Sequence, residues 1–435
     1  MKILRRITAL AAFAMLASCG GGSDEEKSFV CTASGDKAWL REEMYDFYFW
    51  SGRSPDPAPD AYADVNVYLD ALRFQGDSDE PRDRFSYIES EAAFSQFFQE
   101  GKTLGYGVSV NGVEGTLPLK IRYIDALSPA ASLGLLRGDT IVSANGIAAA
   151  QLVSSGDFSV LSPANAGETV TLVVESGGST RTVALTAAEY SLQPVTATTV
   201  FTLPNGKKAG YLSLKDFITQ AEGPLSTSIA QIRQQGATEL ILDLRYNGGG
   251  RVSTATHLAS LVSGATHAGK LFTSLVYNPK QQGFNSTYRF ASQPGTAFPR
   301  VVVLTGSRTC SASEMIVNGL KPYADVITIG GTSCGKPVGF SPQAHCNNVY
   351  SLVNFESLNA NGQGKYYGGL PLTCAVKDDF TRALGDASET LTAAALSYLQ
   401  NGSCPAQPSA VPSRVLRTTD RPVAEPGQRS GMFAD

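Results

Sequence analysis

Between Lys208 and about Gln400 the sequence alternates short apolar runs with amphipathic stretches, and this alternation leaves few folds open. Leu240-Ile241-Leu242-Asp243-Leu244, Val301-Val302-Val303-Leu304-Thr305 and Val326-Ile327-Thr328-Ile329 are apolar at nearly every position, and Gly210-Tyr211-Leu212-Ser213-Leu214 is a fourth candidate strand. A strand with one face in water alternates polar and apolar residues, whereas a strand covered on both faces reads as a continuous run. Ser226 to Gln235, Ser253 to Val262 and Ser313 to Tyr323 read as helices between the strands. Buried strands separated by helices predict an α/β domain.

Two different textures precede it. From Asp36 to Gly101 aromatic residues recur at helical spacing (Trp39, Tyr45, Phe47, Trp50, then Phe94, Phe97 and Phe98), broken by the proline-rich stretch Pro55 to Pro59. This predicts a small helical cap whose aromatics form a core. From Leu104 to Tyr190 short β-like runs are broken by glycine, including Ile121 to Ile124, a strand ending in the tight turn Asn145-Gly146, and the pair Thr169 to Glu175 and Arg181 to Leu185. The expected organisation is a leader over 1–19, a tether over 20–35, a helical domain over 36–103, a β-rich domain over 104–190 and an α/β domain over 191–404. Five prolines and little apolar content after Cys404 predict a disordered tail over 405–435.

The leader has a charged start (Lys2, Arg5, Arg6), an apolar run from Ile7 to Leu16 that is too short to span a bilayer, and the small residues Ala17-Ser18. Leu16-Ala17-Ser18-Cys19 resembles a bacterial lipobox, which implies cleavage before Cys19 and acylation of its thiol. An ordinary signal peptide with a chance cysteine is the alternative. Gly20 to Lys27 reads as a flexible tether, and the absence of Asp at position 20 implies, by the same resemblance, the outer membrane. The expected location is the cell envelope, as a periplasm-facing lipoprotein held to the membrane through Cys19. A formal charge of −4 gives no reason to expect nucleic acid as a partner, and three histidines with no C-x-x-C pair give none to expect a metal or other cofactor. Six cysteines beyond Cys19 in an exported chain suggest disulfides. Cys334 and Cys346, closest in sequence, are the expected bridge; the other four allow three pairings, one of them joining Cys31 to Cys404.

The chemistry concentrates in three loops that follow predicted strands. Gly306-Ser307-Arg308-Thr309-Cys310-Ser311-Ala312-Ser313-Glu314-Met315 leads from a strand into a helix. Taken alone, Ser311-Ala312-Ser313-Glu314 fits a helix capping box, and Cys310 is a second candidate nucleophile. Thr332-Ser333-Cys334-Gly335-Lys336-Pro337 follows the next strand. If the two strands are parallel neighbours, Lys336 shares one sheet edge with Ser311 and, partly desolvated, can act as its base. Asp243-Leu244-Arg245-Tyr246-Asn247-Gly248-Gly249-Gly250 follows a third strand. Its bare backbone suits an oxyanion hole formed by Gly248 or Gly249 with the Ala312 amide. A dinucleotide loop is the rival reading, but Ser253 replaces its third glycine, and no acidic residue follows before Ser313 to hold a ribose.

Leu240–Gly250, Thr309–Met315 and Gly335–Lys336, in this order, resemble the S41 family of C-terminal processing peptidases. The series Ser128-Pro129-Ala130-Ala131, Leu136 to Val142 and Asn145-Gly146 resembles a PDZ domain. The first resemblance implies a crotonase-like α/β core, with Ser311 as nucleophile and Lys336 as base of a Ser–Lys dyad. The second implies that the loop Leu104-Gly105-Tyr106-Gly107 receives the C-terminal carboxylate of a polypeptide substrate. Together they imply a serine endopeptidase of the envelope acting on unfolded or C-terminally tagged proteins. One position departs: processing peptidases carry a glutamine four residues after the lysine, where this chain has Phe340, with Gln343 nearest. A catalytically inactive lipoprotein that binds apolar ligands or peptides on the same fold is the alternative, and a scaffold for another protease is a third.

Overall fold

Six strands lie side by side in chain order in the computed structural model, which describes residues 30–406 and 431–434. They are β1 (Val195–Thr202), β2 (Lys208–Leu214), β3 (Glu239–Asp243), β4 (Arg300–Thr305), β5 (Asp325–Gly330) and β6 (Cys374–Ala375). β1 runs antiparallel to β2, and every other neighbouring pair is parallel. Helices α1 (Glu222–Gln234), α2 (Val252–Ser263), α3 (Ala312–Leu320) and α4 (Thr390–Asn401) pack on it. Leu240, Leu242, Val301 and Val303 enter the core shared with α1, α2 and α3, while Ile241, Val302, Ile327 and Ile329 face Leu391, Ala395 and Leu399 of α4. Both faces are covered, which is why these strands have no polar alternation.

A second, antiparallel sheet lies against α2 and α3. It is built from Ser286–Arg289, Leu271–Tyr277, Phe355–Asn359 and Val338–Gly339, and its Phe272, Leu275 and Phe355 join the core with Met315 and Ile316 of α3. Gly319 is required here, because a Cβ would stand 2.3 Å from the Phe272 ring.

Three helices, Ala33–Asp46, Val65–Leu72 and Glu91–Phe98, occupy the predicted N-terminal stretch. They do not form a core of their own. Leu40, Tyr48, Trp50 and Tyr68 pack with Val338, Tyr350, Leu352 and Val353, and Tyr87–Ser90 pairs antiparallel with Asn348–Ser351. The β-rich stretch has a separate core around Ile121, Ile141, Leu172 and Leu185 and a four-stranded antiparallel sheet built on Thr140–Ala144, Ile147–Ala148, Thr169–Ser176 and Ser179–Thr186.

Three expectations change or fall out of reach. The bridges are Cys31–Cys346, Cys310–Cys334 and Cys374–Cys404, not Cys334–Cys346 or Cys31–Cys404. After Cys334 the chain enters the strand Val338–Gly339 and then turns outward through Gln343–His345 toward the N-terminal segment, so sequence proximity does not bring Cys346 back to it. Within the predicted tail Gly431–Phe433 forms a strand parallel to Gly249–Arg251, and residues 407–430 lie outside the described residues. The leader, with Cys19, and most of the tether lie outside the described residues.

A buried charge cluster closes the end of β3. Arg245 donates to Asp243 (3.0 Å) and to both oxygens of Glu389 on the threshold of α4 (2.6 and 2.9 Å), and Tyr211 donates its hydroxyl to Asp243 (2.6 Å). Removing one partner of such a cluster leaves uncompensated charge in a dry interior. Arg245→Met is expected to lower the unfolding free energy by about 3–5 kcal/mol, read as a fall in the urea midpoint; an unchanged midpoint would contradict this.

Candidate active site

Asp243 at the end of β3 lies beside Leu304, and Thr305 at the end of β4 lies beside Gly330. The three loops that follow therefore leave one edge of the sheet together, the edge where open α/β folds place their sites. The chain crosses from β4 to α3 in a sharp turn. Ser311, immediately before the helix, has φ 63° and ψ −115°, a conformation rarely adopted by a residue with a side chain. Such a residue costs about 1–3 kcal/mol and persists only where its surroundings fix it. The anchors are visible. Thr309 donates its hydroxyl to the Leu244 carbonyl (2.8 Å), Cys310 N–H donates to the Asn247 carbonyl (3.1 Å), and Cys310 is bonded to Cys334.

Ser311 Oγ stands over the first turn of the helix, fully buried, and has no hydrogen-bond partner of good geometry among the described residues. The carboxylate of Glu314 supplies its half of the capping box, accepting from the Ser311 N–H at 2.9 Å. The same oxygen accepts from the Lys336 N–H (2.8 Å), and the other oxygen accepts from the Ser333 hydroxyl (2.6 Å) and the Gly335 N–H (2.8 Å). One buried side chain thus ties the serine loop to the lysine loop. Burial pushes the Glu314 carboxyl above its ordinary range, against four hydrogen bonds that favour the ionised form. Ser313 serves differently. Its hydroxyl donates to the Asn247 carbonyl (3.0 Å) and fastens the helix to the glycine loop.

Lys336 is fully buried. Its Nζ lies 4.4 Å from the Phe340 ring centre and 5.1 Å from that of Phe85. Desolvation pushes the amine down to about 7, and the carboxylates of Asp83 and Glu314 pull in the opposite direction without cancelling it. Phe340, at the position where the sequence departs from the processing peptidases, therefore forms one wall of the lysine's enclosure.

The glycine loop corrects one expectation. Gly249 N–H already donates to the Asn247 side-chain oxygen (2.8 Å), and Gly249 and Gly250 pair with the C-terminal strand. Gly249 is therefore committed to holding its own loop. Gly250, at φ 134°, has no room for a side chain, since a Cβ would lie 2.2 Å from the Phe217 carbonyl oxygen. Cys310, the rival nucleophile, is oxidised to a disulfide. His257 bonds Ser226 (2.8 Å) between two helices and takes no part in these loops.

Asp83, Arg84 and Phe85 were not anticipated as site residues. Asp83 accepts from the Tyr48 hydroxyl (2.7 Å) and the Phe85 N–H (2.8 Å), Arg84 donates to the Cys334 carbonyl (2.7 Å), and Phe85 faces the lysine. The only local signal is the Asp-x-x-Ser turn of Asp83 to Ser86. Outside these loops, Leu104, Gly105, Tyr106 and Gly107 line a cleft with Tyr123 and Lys215, and the Tyr123 ring lies 6.4 Å from that of Tyr246 in the glycine loop.

The sequence profile of peptidase family S41 matches residues 208–363, which hold all three loops, and that of the peptidase S41 N-terminal domain matches residues 36–87, which hold Asp83 to Phe85. The chain belongs to peptidase family S41. Among similar proteins, the carboxyl-terminal-processing protease of Picosynechococcus sp. is 29% identical over 238 residues, 54% of this chain and 55% of that protein. The S41 chain thus spans about half the length of the curated relatives it matches. A solved structure described as a putative S41 protease from Bacteroides fragilis aligns with a TM-score of 0.65 at 27% identity, covering 83% of this chain and 96% of the other. The photosystem II D1 C-terminal processing protease, at 19% identity, TM-score 0.51 and coverage of 80% and 94%, shares the fold.

In this S41 chain the Lys336 amine is expected to titrate at pH about 7, charged below and neutral above, whereas an exposed lysine stays charged to about 10.4. NMR of 13C-labelled lysine side chains, assigned with Lys336→Met, reads this directly. A Lys336 midpoint near 10 would contradict it.

Proposed function

We propose that this S41 chain is a serine endopeptidase in which Ser311 is the nucleophile and Lys336 the general base. The observation that supports the reading is that the buried Glu314 carboxylate binds the backbone amides of both residues, while the Ser311 hydroxyl has no hydrogen-bond partner of good geometry among the described residues and the Lys336 amine is buried. Neutral Lys336 takes the hydroxyl proton as Ser311 Oγ attacks a peptide carbonyl. The oxyanion meets the Ala312 amide at the mouth of α3 and the Gly248 amide, and the helix dipole adds to this stabilisation. Lys336 returns the proton to the departing amine. Water, deprotonated in turn by Lys336, then releases the acyl group from Ser311.

The proposal extends to substrate capture. The β-rich stretch acts as a PDZ-like module over 104–190, taking polypeptide C-termini at Leu104 to Gly107. The next strand, Val108–Val110, forms a two-stranded sheet with Ile121–Ile124, and so small a sheet can be extended by a peptide added as a further strand. Anchoring through Cys19 would hold the enzyme in the cell envelope, facing the periplasm.

Turnover of casein by a soluble form lacking residues 1–27 tests the reading. Ser311→Ala and Lys336→Ala are each expected to reduce cleavage by at least about 10³-fold. The rate of the unsubstituted chain is expected to rise with pH through about 7, as the lysine loses its proton, and then level off. Undiminished cleavage by either variant would contradict the dyad. Tight binding of an apolar ligand without any turnover would favour the non-catalytic reading.

A further inference from the structure

The strand Gly431–Phe433 enters the site between two of its working parts. On one edge Gly431, Met432 and Phe433 run parallel to Gly249, Gly250 and Arg251 of the glycine loop. On the other edge Phe340 N–H donates to the Met432 carbonyl (2.9 Å), and Ala434 N–H donates to the Phe340 carbonyl (3.1 Å). The residue clamping this second edge is the one whose ring covers the Lys336 amine. Gly339 leaves space for the inserted strand, because a Cβ there would reach 2.5 Å from the Met432 carbonyl oxygen.

The side chains are seated as firmly as the backbone. Met432 is fully buried in the core that also contains Ala312 and Met315. Phe433 is 3% exposed, in a pocket formed by Phe97, Phe98, Ile218 and Phe340, with its ring centre 4.6 Å from that of Phe98. Extended peptides are commonly recognised in this way, with main-chain bonds along an edge and pockets for selected side chains.

We propose that Gly431–Ala434 occupies the substrate groove as an internal competitor, so that a polypeptide presenting apolar side chains at the Met432 and Phe433 positions must displace it to reach Ser311. The proposal rests on the peptidase reading and names the substrate class for it: unfolded segments with consecutive apolar residues, bound as a strand between the glycine loop and Phe340. A groove open for about 1–10% of the time raises the apparent KM about ten- to a hundredfold, because substrate binds only the open fraction.

Phe433→Asp in the otherwise unaltered chain tests this. The apparent KM for an unfolded protein substrate is expected to fall at least about tenfold. A fluorescent peptide of sequence Ser-Gly-Met-Phe-Ala-Asp is expected to bind Phe433→Asp more tightly than the unsubstituted chain, and to compete with substrate. The binding measurement is repeated with Ser311→Ala added and needs no turnover, so it decides the groove even if the chain proves inactive. Should Phe433→Asp fail to fold, Phe433→Ala serves both readouts. An unchanged or higher KM together with no peptide binding would overturn the proposal and leave the segment as a structural strap.

Discussion

The site depends on a single carboxylate. Glu314 lies in the first turn of α3, out of contact with water, and accepts four hydrogen bonds from two loops that follow adjacent parallel strands. Without it, the amides of Ser311, Gly335 and Lys336 would lose their acceptor in a dry interior, at a cost of about 1–3 kcal/mol for each. Its position also explains the state of Ser311. By taking the serine's amide, the glutamate fastens the helix entrance through the serine's backbone, and the serine hydroxyl has no hydrogen-bond partner of good geometry among the described residues. The Cys310–Cys334 bridge and the bond from Cys334 N–H to the Thr309 carbonyl fasten the same two loops alongside.

The lysine is treated in the opposite way: it is kept dry, so that the cost of burying its charge outweighs the pull of the nearby carboxylates. Two aromatic rings supply this, Phe85 from the N-terminal segment and Phe340 from just beyond the strand that follows the lysine. The N-terminal helices and the turn at Asp83 to Phe85 are accordingly more than a cap. Their core is shared with Val338 to Val353, and their Asp83 and Phe85 complete the enclosure of an amine some 250 positions away. Phe340, where a processing peptidase has glutamine, encloses the amine by packing and grips the C-terminal strand through its backbone.

Much of this was legible in the sequence, for physical reasons. The strands around Leu240, Val301 and Val326 were recognisable because both of their faces are covered, and their parallel order put Ser311 and Lys336 at one edge. The capping motif at Ser311 was legible too, but its divided use was not, since that depends on Ser333 and Gly335 arriving from another loop. Disulfide partners escaped because pairing follows spatial contact: Cys31 and Cys346 are 315 positions apart and still meet. Asp83 to Phe85 escaped because their partners are remote. The strand at Gly431 escaped because a proline-rich, polar stretch conceals two apolar residues whose pocket is built from distant segments.

The most direct measurement is the rate at which a fluorophosphonate labels Ser311 across pH, in the unsubstituted chain and in Lys336→Met, with the labelled residue identified by mass spectrometry. The account predicts labelling at Ser311 that rises through about pH 7 and is lost in Lys336→Met. Absence of labelling at Ser311, or labelling that persists unchanged without the lysine, would contradict it.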